Sequence, residues 1–167
     1  DAVLKLELIS MDGGTVPKGA TAVTVLGIQA TASGADATLD SLVLSRSGVG
    51  ATTDISNLYF YNESTRVGSG HSVSSDSNTS TFNSLDVAVA EGESVMFYIK
   101  ADFSTTASSG NEHVFSIASA DVVAVSAGSV EGSYPIDGDT FTIGGASAGT
   151  VTISKSSSVS NPTIGET

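Results

Sequence analysis

The segment TFNSLDVAVAEGESVMFYIKADF, residues 81–103, decides the class of fold. Phe82, Leu85, Val87 and Val89 supply its first apolar side. After Glu91-Gly92-Glu93, Val95, Phe97, Ile99 and Ala101 alternate with Met96, Tyr98 and Lys100. A period of two puts successive side chains on opposite faces of an extended strand, and no helical face has that spacing. Two half-buried strands around a glycine turn predict a β-hairpin here.

The same reading extends in both directions. In VLKLELI, Leu4, Leu6 and Leu8 face one way, Lys5 and Glu7 the other. TAVTVLGIQA changes phase at Leu26-Gly27-Ile28, where glycine suits a β-bulge, and ATLDSLVLSR slips between Leu39 and Leu42. DISNLYFYN turns Leu58 and Phe60 inward, Tyr59 and Tyr61 outward. A short strand around Val67 follows, then a polar loop over residues 69–80 with Val73 as its apolar anchor. HVFSIASA, DVVAVSA and DTFTIGG continue at the spacing of a sandwich, giving about nine or ten strands. The expectation is an all-β, Ig-like or jelly-roll antiparallel sandwich over residues 1–145, with an extended C-terminal arm over residues 146–167.

Composition narrows the function. A chain of 167 residues can bury one sizeable core. Its 6 Lys and Arg against 18 Asp and Glu leave a formal charge of -12, which repels nucleic acid and anionic headgroups. Charged residues are only 14% and mean hydropathy is +0.19, so this is no disordered acidic tract. The absence of Cys removes disulfides, thiolate metal sites and cysteine nucleophiles. No apolar run nears the ~20 residues of a membrane-spanning helix, so no membrane insertion is expected. A surface of Ser, Thr, Asn and Gly suits an exported protein at or outside the cell surface. The chain opens at Asp1, which predicts a removed leader or a piece of a longer protein.

The run from ATLDSLVLSR through DISNLYFYN to FYIKADFS resembles the Ig-like β-sandwich modules repeated in prokaryotic S-layer and other cell-surface proteins. The residues that carry the likeness are Asp54 to Tyr59 and Lys100-Ala101-Asp102. A fainter resemblance is to extracellular filament and tube subunits completed by a strand from a neighbour. Both imply a structural surface role without enzyme activity, and neither brings catalytic residues.

Candidate chemistry is sparse. His71 and His113 are expected to be solvent-exposed or hydrogen-bonded, and two His without Cys make a poor zinc set. Calcium needs only oxygens: Asp137 and Asp139 flank a glycine, and Asp36, Asp40 and Asp102 are further strand-end carboxylates. Each also suits a metal-free turn. Asn62 and Asn78 begin N-x-[ST] sequons, candidate glycosylation sites in an exported chain. Tyr59, Tyr61 and Tyr98 point outward, toward a neighbouring strand or subunit or toward glycans.

The tail, GTVTISKSSSVSNPTIGET, repeats the opening: Val151 and Ile153 match Leu4 and Leu6, Pro162 matches Pro17, and Gly165 matches Gly19. Burying Val151 and Ile153 is worth roughly 3–6 kcal/mol, so an unpaired strand of this kind seeks an edge. That edge belongs to its own sandwich, to a following module, or to another copy. The favoured expectation is donation between copies, with Val151, Ile153 and Val159 as the assembly strand and the type of edge presented by Leu4, Leu6 and Leu8 as acceptor. Adhesin or carbohydrate-binding module is the alternative.

Overall fold

In the computed structural model, which describes residues 1–9 and 11–147, the alternating segments pair into two facing sheets. In chain order the strands are β1 (Val3–Ile9), β2 (Gly14–Lys18), β3 (Val23–Ser33), β4 (Ala37–Ser47), β5 (Ile55–Asn62), β6 (Thr65–His71) and β7 (Thr79–Phe82). They continue as β8 (Val87–Val89), β9 (Ser94–Phe103), β10 (Glu112–Ile117), β11 (Val123–Val125), β12 (Ser129–Gly132), β13 (Ile136–Asp137) and β14 (Phe141–Ser147). One sheet runs β12-β1-β3-β9-β5-β6; the other runs β11-β4-β10-β14-β2, with β7 and β8 also on β4 and β13 on β10.

The fold is the expected all-β sandwich, but its sheets are mixed. β12 pairs parallel to β1, and β14 parallel to β2. Both parallel pairs arise because an edge segment changes sheets. The chain leaves the first sheet after Ile9 and joins the second at Gly14; it leaves again after Gly132 and pairs at Ile136 with Ile117. Alternation reports which side is buried and is silent about strand direction.

For the same reason the predicted hairpin over residues 81–103 is not one. β8 pairs with β4, while β9 lies between β3 and β5 in the opposite sheet. Two strands that face each other across a core bury alternate residues just as two partners side by side do. The turn is an arch held by other segments: Glu91 N–H donates to Asp36 Oδ1 at 2.8 Å, Gly92 N–H to Ala32 O at 2.8 Å and Ala32 N–H to Glu93 O at 3.1 Å.

Other local readings shift by small amounts. The bulge in β3 lies between Thr24 and Leu26, not at Gly27, so Val25, Leu26 and Ile28 are all buried. The slip in β4 stands: Ser41 and Leu39 take the successive partners Ala124 and Val125. The loop over residues 69–80 is shorter than read, because β6 and β7 take up both of its ends, while Val73 is buried as expected. β14 runs to Ser147, past the expected boundary at 145.

Leu4, Leu39, Leu42, Leu44, Leu58 and all six phenylalanines fill the interior. Phe60 of β5 stacks on Phe97 at 4.9 Å between centroids and meets Phe82 of the opposite sheet at 6.2 Å. Such pairs add about 0.5–1.5 kcal/mol beyond burial and fix how the sheets face.

Candidate functional site

The most incomplete part of the sandwich lies along β1. Leu4 and Leu6 are 0% and 1% exposed, yet Leu8, on the same face by alternation, is 46% exposed. The cause is the departure of β12. It pairs with β1 from Val3 to Leu6 and stops at Gly132, leaving residues 7–9 with no strand on that side. Gly132 has φ +151°, and a Cβ there would sit 2.7 Å from Leu6 O, so the exit suits glycine alone. The chain then folds Tyr134 back, its hydroxyl donating to Glu131 O at 3.0 Å. Burial raises the Tyr134 hydroxyl pKa above its ordinary value.

What remains is a cleft of ≈ 1030 Å³ between β1, β12 and the segment leading into β13. Leu8, Val130, Tyr134 and Ile136 give it apolar walls; Glu7, Glu131 and Asp137 leave its rim acidic beside the Lys5–Glu7 ion pair of 3.6 Å. An unpaired strand edge above apolar walls can accept an extended peptide, its backbone pairing with β1 and alternate side chains dropping inward. Of the expected acceptor residues, Leu4 and Leu6 are already covered and Leu8 lies at the open part.

A second polar feature went unread in the sequence. Arg46 at the end of β4, Asp54 in a 3₁₀ turn at Thr52–Asp54 and His113 in β10 are all buried, His113 completely. Arg46 Nε donates to His113 Nδ1 at 2.7 Å, and His113 Nε2 lies 3.0 Å from Asp54 Oδ2. Because Arg Nε can only donate, Nδ1 accepts, so the neutral ring carries its proton on Nε2 and donates it to Asp54. Asn111 Nδ2 donates to the same carboxylate oxygen at 2.7 Å, and Ala51 N–H does so at 3.3 Å. Arg46 Nη1 reaches Asn78 Oδ1 at 2.9 Å and Nη2 reaches Gly48 O at 3.3 Å. Gly50 closes the cluster: a Cβ there would lie 2.8 Å from His113 Cε1.

Burial is the main influence on His113 and lowers its pKa; the Arg46 charge lowers it further, against the Asp54 hydrogen bond. Burial would raise Asp54, but hydrogen bonds from Asn111, Ala51 and His113 outweigh it and hold the carboxyl below its usual range. Burial likewise lowers Arg46, opposed by the Asp54 charge. The Asp-His pair has the connectivity of a general-base relay, but a guanidinium occupies the position of the group to be deprotonated and has no proton to give near neutrality. The cluster joins the two sheets: β4 and β10 from one, the turn leading into β5 from the other.

The segments around Tyr59 and Asp102 also meet. Tyr59 OH donates to Asp102 Oδ2 at 3.1 Å, and Asp102 Oδ1 accepts from Ala22 N–H at 2.9 Å. That hydrogen bond to Asp102 raises the Tyr59 pKa. Tyr59, Tyr61 and Tyr98 do face outward and are half-buried. Arg66 covers the Tyr59 ring at 4.6 Å and Lys100 covers Tyr61 at 4.4 Å.

The candidate calcium carboxylates do not converge. Asp36 serves Glu91 N–H, Asp40 the Ser126 hydroxyl, Asp102 the lead-in to β3, and Asp139 Oδ2 the Gly13 N–H at 3.2 Å. Asp137 is exposed in β13. No three His, Cys, Asp or Glu side chains cluster in metal-binding fashion among the described residues. Of the sequons, Asn78 is engaged with Arg46. Asn62 opens the two-residue turn between β5 and β6, its Oδ1 enclosed without a hydrogen-bond partner among the described residues. Val151, Ile153 and Val159 lie outside the described residues.

Against known proteins, no family model matches and no curated protein matches. Among solved structures the chain is similar to a family 123 glycoside hydrolase from Clostridium perfringens, at 13% identity and TM-score 0.45. The match covers 84% of this chain and 27% of that one, so this chain spans about a quarter of its length. It is also similar to AvmM, which catalyses macrocyclization in alchivemycin A biosynthesis, at 12% identity and TM-score 0.38 over 87% and 91% of the two chains. A chain of the CaDoc0917–CaCohA2 complex matches at 10% identity and TM-score 0.35, over 86% and 99%. Likenesses this distant decide nothing about chemistry.

Proposed function

We infer that the chain is a non-enzymatic structural subunit of an extracellular assembly, a filament, tube or surface layer, that grows by strand donation and edge pairing between copies. One observation carries this reading: β1 keeps an open edge over an inward-facing but exposed Leu8, the type of edge the tail's own alternation matches. Support comes from the one buried charged cluster among the described residues, whose histidine is sealed and hydrogen-bonded on both nitrogens. Negative-stain microscopy and sedimentation of the full chain test it; regular polymers are the expected result, and dispersed single particles at every concentration reject it. Repeating both with excess calcium and with chelator tests whether cations bridge the carboxylates between copies.

The adhesin or carbohydrate-binding alternative has its own observation, the outward row of Tyr59, Tyr61 and Tyr98 beside Lys100 and Asp102. Glycan-array binding that disappears in Tyr59→Ala with Tyr61→Ala favours it over self-assembly.

A further inference from the structure

The acceptor cleft is specific enough to name its occupant. We propose that residues 150–155, TVTISK, of a second copy lie along residues 7–9 of β1, with Val151 and Ile153 turned inward over Leu8 and against Tyr134 and Ile136. This rests on the strand-donation reading and adds the site and the polarity of the contact. A strand advances about 3.3 Å per residue and paired residues share a face. Of the open residues of β1, Leu8 faces inward and Glu7 and Ile9 outward, so one of Val151 and Ile153 lies opposite Leu8, the other reaches Tyr134, and Thr152 between them faces outward opposite Glu7.

Charge agrees. The rim holds Glu7, Glu131 and Asp137 against Lys5, and the incoming segment carries a single charge, Lys155. In a chain of net charge -12, a contact between copies must place its few cations well, and this one sets Lys155 at an acidic rim.

Direction argues for a second copy over the same one. Ile9 pairs with Gly27, which pairs with Tyr98 of β9. Ser147 pairs with Lys18, and the next residue, Gly19, donates to Ser104 O, just past the end of β9. Tyr98 and Ser104 are about 20 Å apart along an extended strand. β14 therefore reaches Ser147 well beyond the cleft, in the other sheet and heading away from it. A chain filling its own cleft would have to reverse direction and round the β2 edge. Given to the next copy it continues onward, and the contact is heterologous and repeats without closing.

The test uses full-length chains and two variants. Leu8→Glu spoils the acceptor and leaves the tail intact; Ile153→Asp spoils the donor and leaves the cleft intact. Both are expected to keep the wild-type melting temperature within a few degrees and to stay monomeric alone. Mixed in equal amounts they should form 1:1 pairs and nothing larger, because one productive contact remains. The chain has no Cys, so Glu7→Cys on one copy and Thr152→Cys on another should give a disulfide-linked pair under mild oxidation. If wild type polymerises and Leu8→Glu polymerises equally, this cleft is not the acceptor, and assembly proceeds by another edge. If a chain carrying both cysteines closes its disulfide within monomers and wild type never assembles, the strand serves its own sandwich and both readings fall.

Discussion

Two regions of the sandwich handle unsatisfied groups in opposite ways. Where β4, β10 and the turn before β5 meet, Arg46, His113 and Asp54 are shut away from water and each is hydrogen-bonded within the cluster. Along the end of β1, an apolar side chain and a strand edge are left uncovered. The polar cluster looks like chemistry and is closed; the apolar edge looks like ordinary strand and is open. Accessibility, more than residue type, separates the open edge from the internal brace in this chain.

The sharpest way to break that contrast is to remove one member of the brace. Asp54→Ala leaves the Arg46 charge buried without its counter-charge and His113 Nε2 without an acceptor. Asp54 accepts from His113, Asn111 and Ala51, and each buried donor left without its acceptor costs about 1–3 kcal/mol, so urea unfolding should show a loss of several kcal/mol. A loss under about 1 kcal/mol would mean that water enters the cluster, and the contrast would dissolve. Leu6→Ala comes next. Leu6 is 1% exposed, and truncating a buried leucine costs roughly 2–5 kcal/mol, measurable in the same assay.

Acid probes the brace without mutation. The folded state holds His113 neutral, below its ordinary 6.5, while the unfolded chain takes up a proton near 6.5. The unfolded state thus binds more protons in that window, so stability is full above pH 6.5 and falls as the pH drops through it. One proton gives a slope of at most about 1.4 kcal/mol per pH unit. Asp54, also lowered, adds a further loss only at more acid pH, below its ordinary 3.8. Melting temperatures of wild type and His113→Gln from pH 8 to pH 5 should differ in slope across the upper window. Parallel curves would show that the ring is free to protonate in place.

The sequence is read well where a signal is local and poorly where it depends on topology. Leu58, Phe60, Phe97 and Ile99 are buried as their alternation predicts, because the period of a strand is a property of the strand alone. The pairing of β8 with β4 is set by partners some fifty residues away and leaves no mark in TFNSLDVAVAEG. The brace was hidden for the same reason. Arg46, Asp54 and His113 are distant in sequence, and each reads as a polar strand end. The one available hint was the glycine pair at Gly48 and Gly50 beside an arginine that alternation turns inward with Leu42 and Leu44. Leu8 was legible as a core-facing residue; its exposure was not, because that depends on where β12 leaves β1.

Leu8→Ala is the smallest of these perturbations and bears most directly on the open edge. By pattern it is the sister of Leu6, so a sequence argument assigns both the same cost. By burial it lacks its cover, and truncating a side chain away from packed contacts changes stability by about 0.5 kcal/mol or less. In the dilute monomer, Leu8→Ala should therefore fall several-fold short of Leu6→Ala in urea unfolding. Under the strand-donation proposal the order should reverse for association: Leu8→Ala should weaken it, because a donated strand would supply the cover Leu8 lacks. A Leu8→Ala loss equal to that of Leu6→Ala in the monomer would mean that the chain already covers its own edge, and the open region would join the closed one.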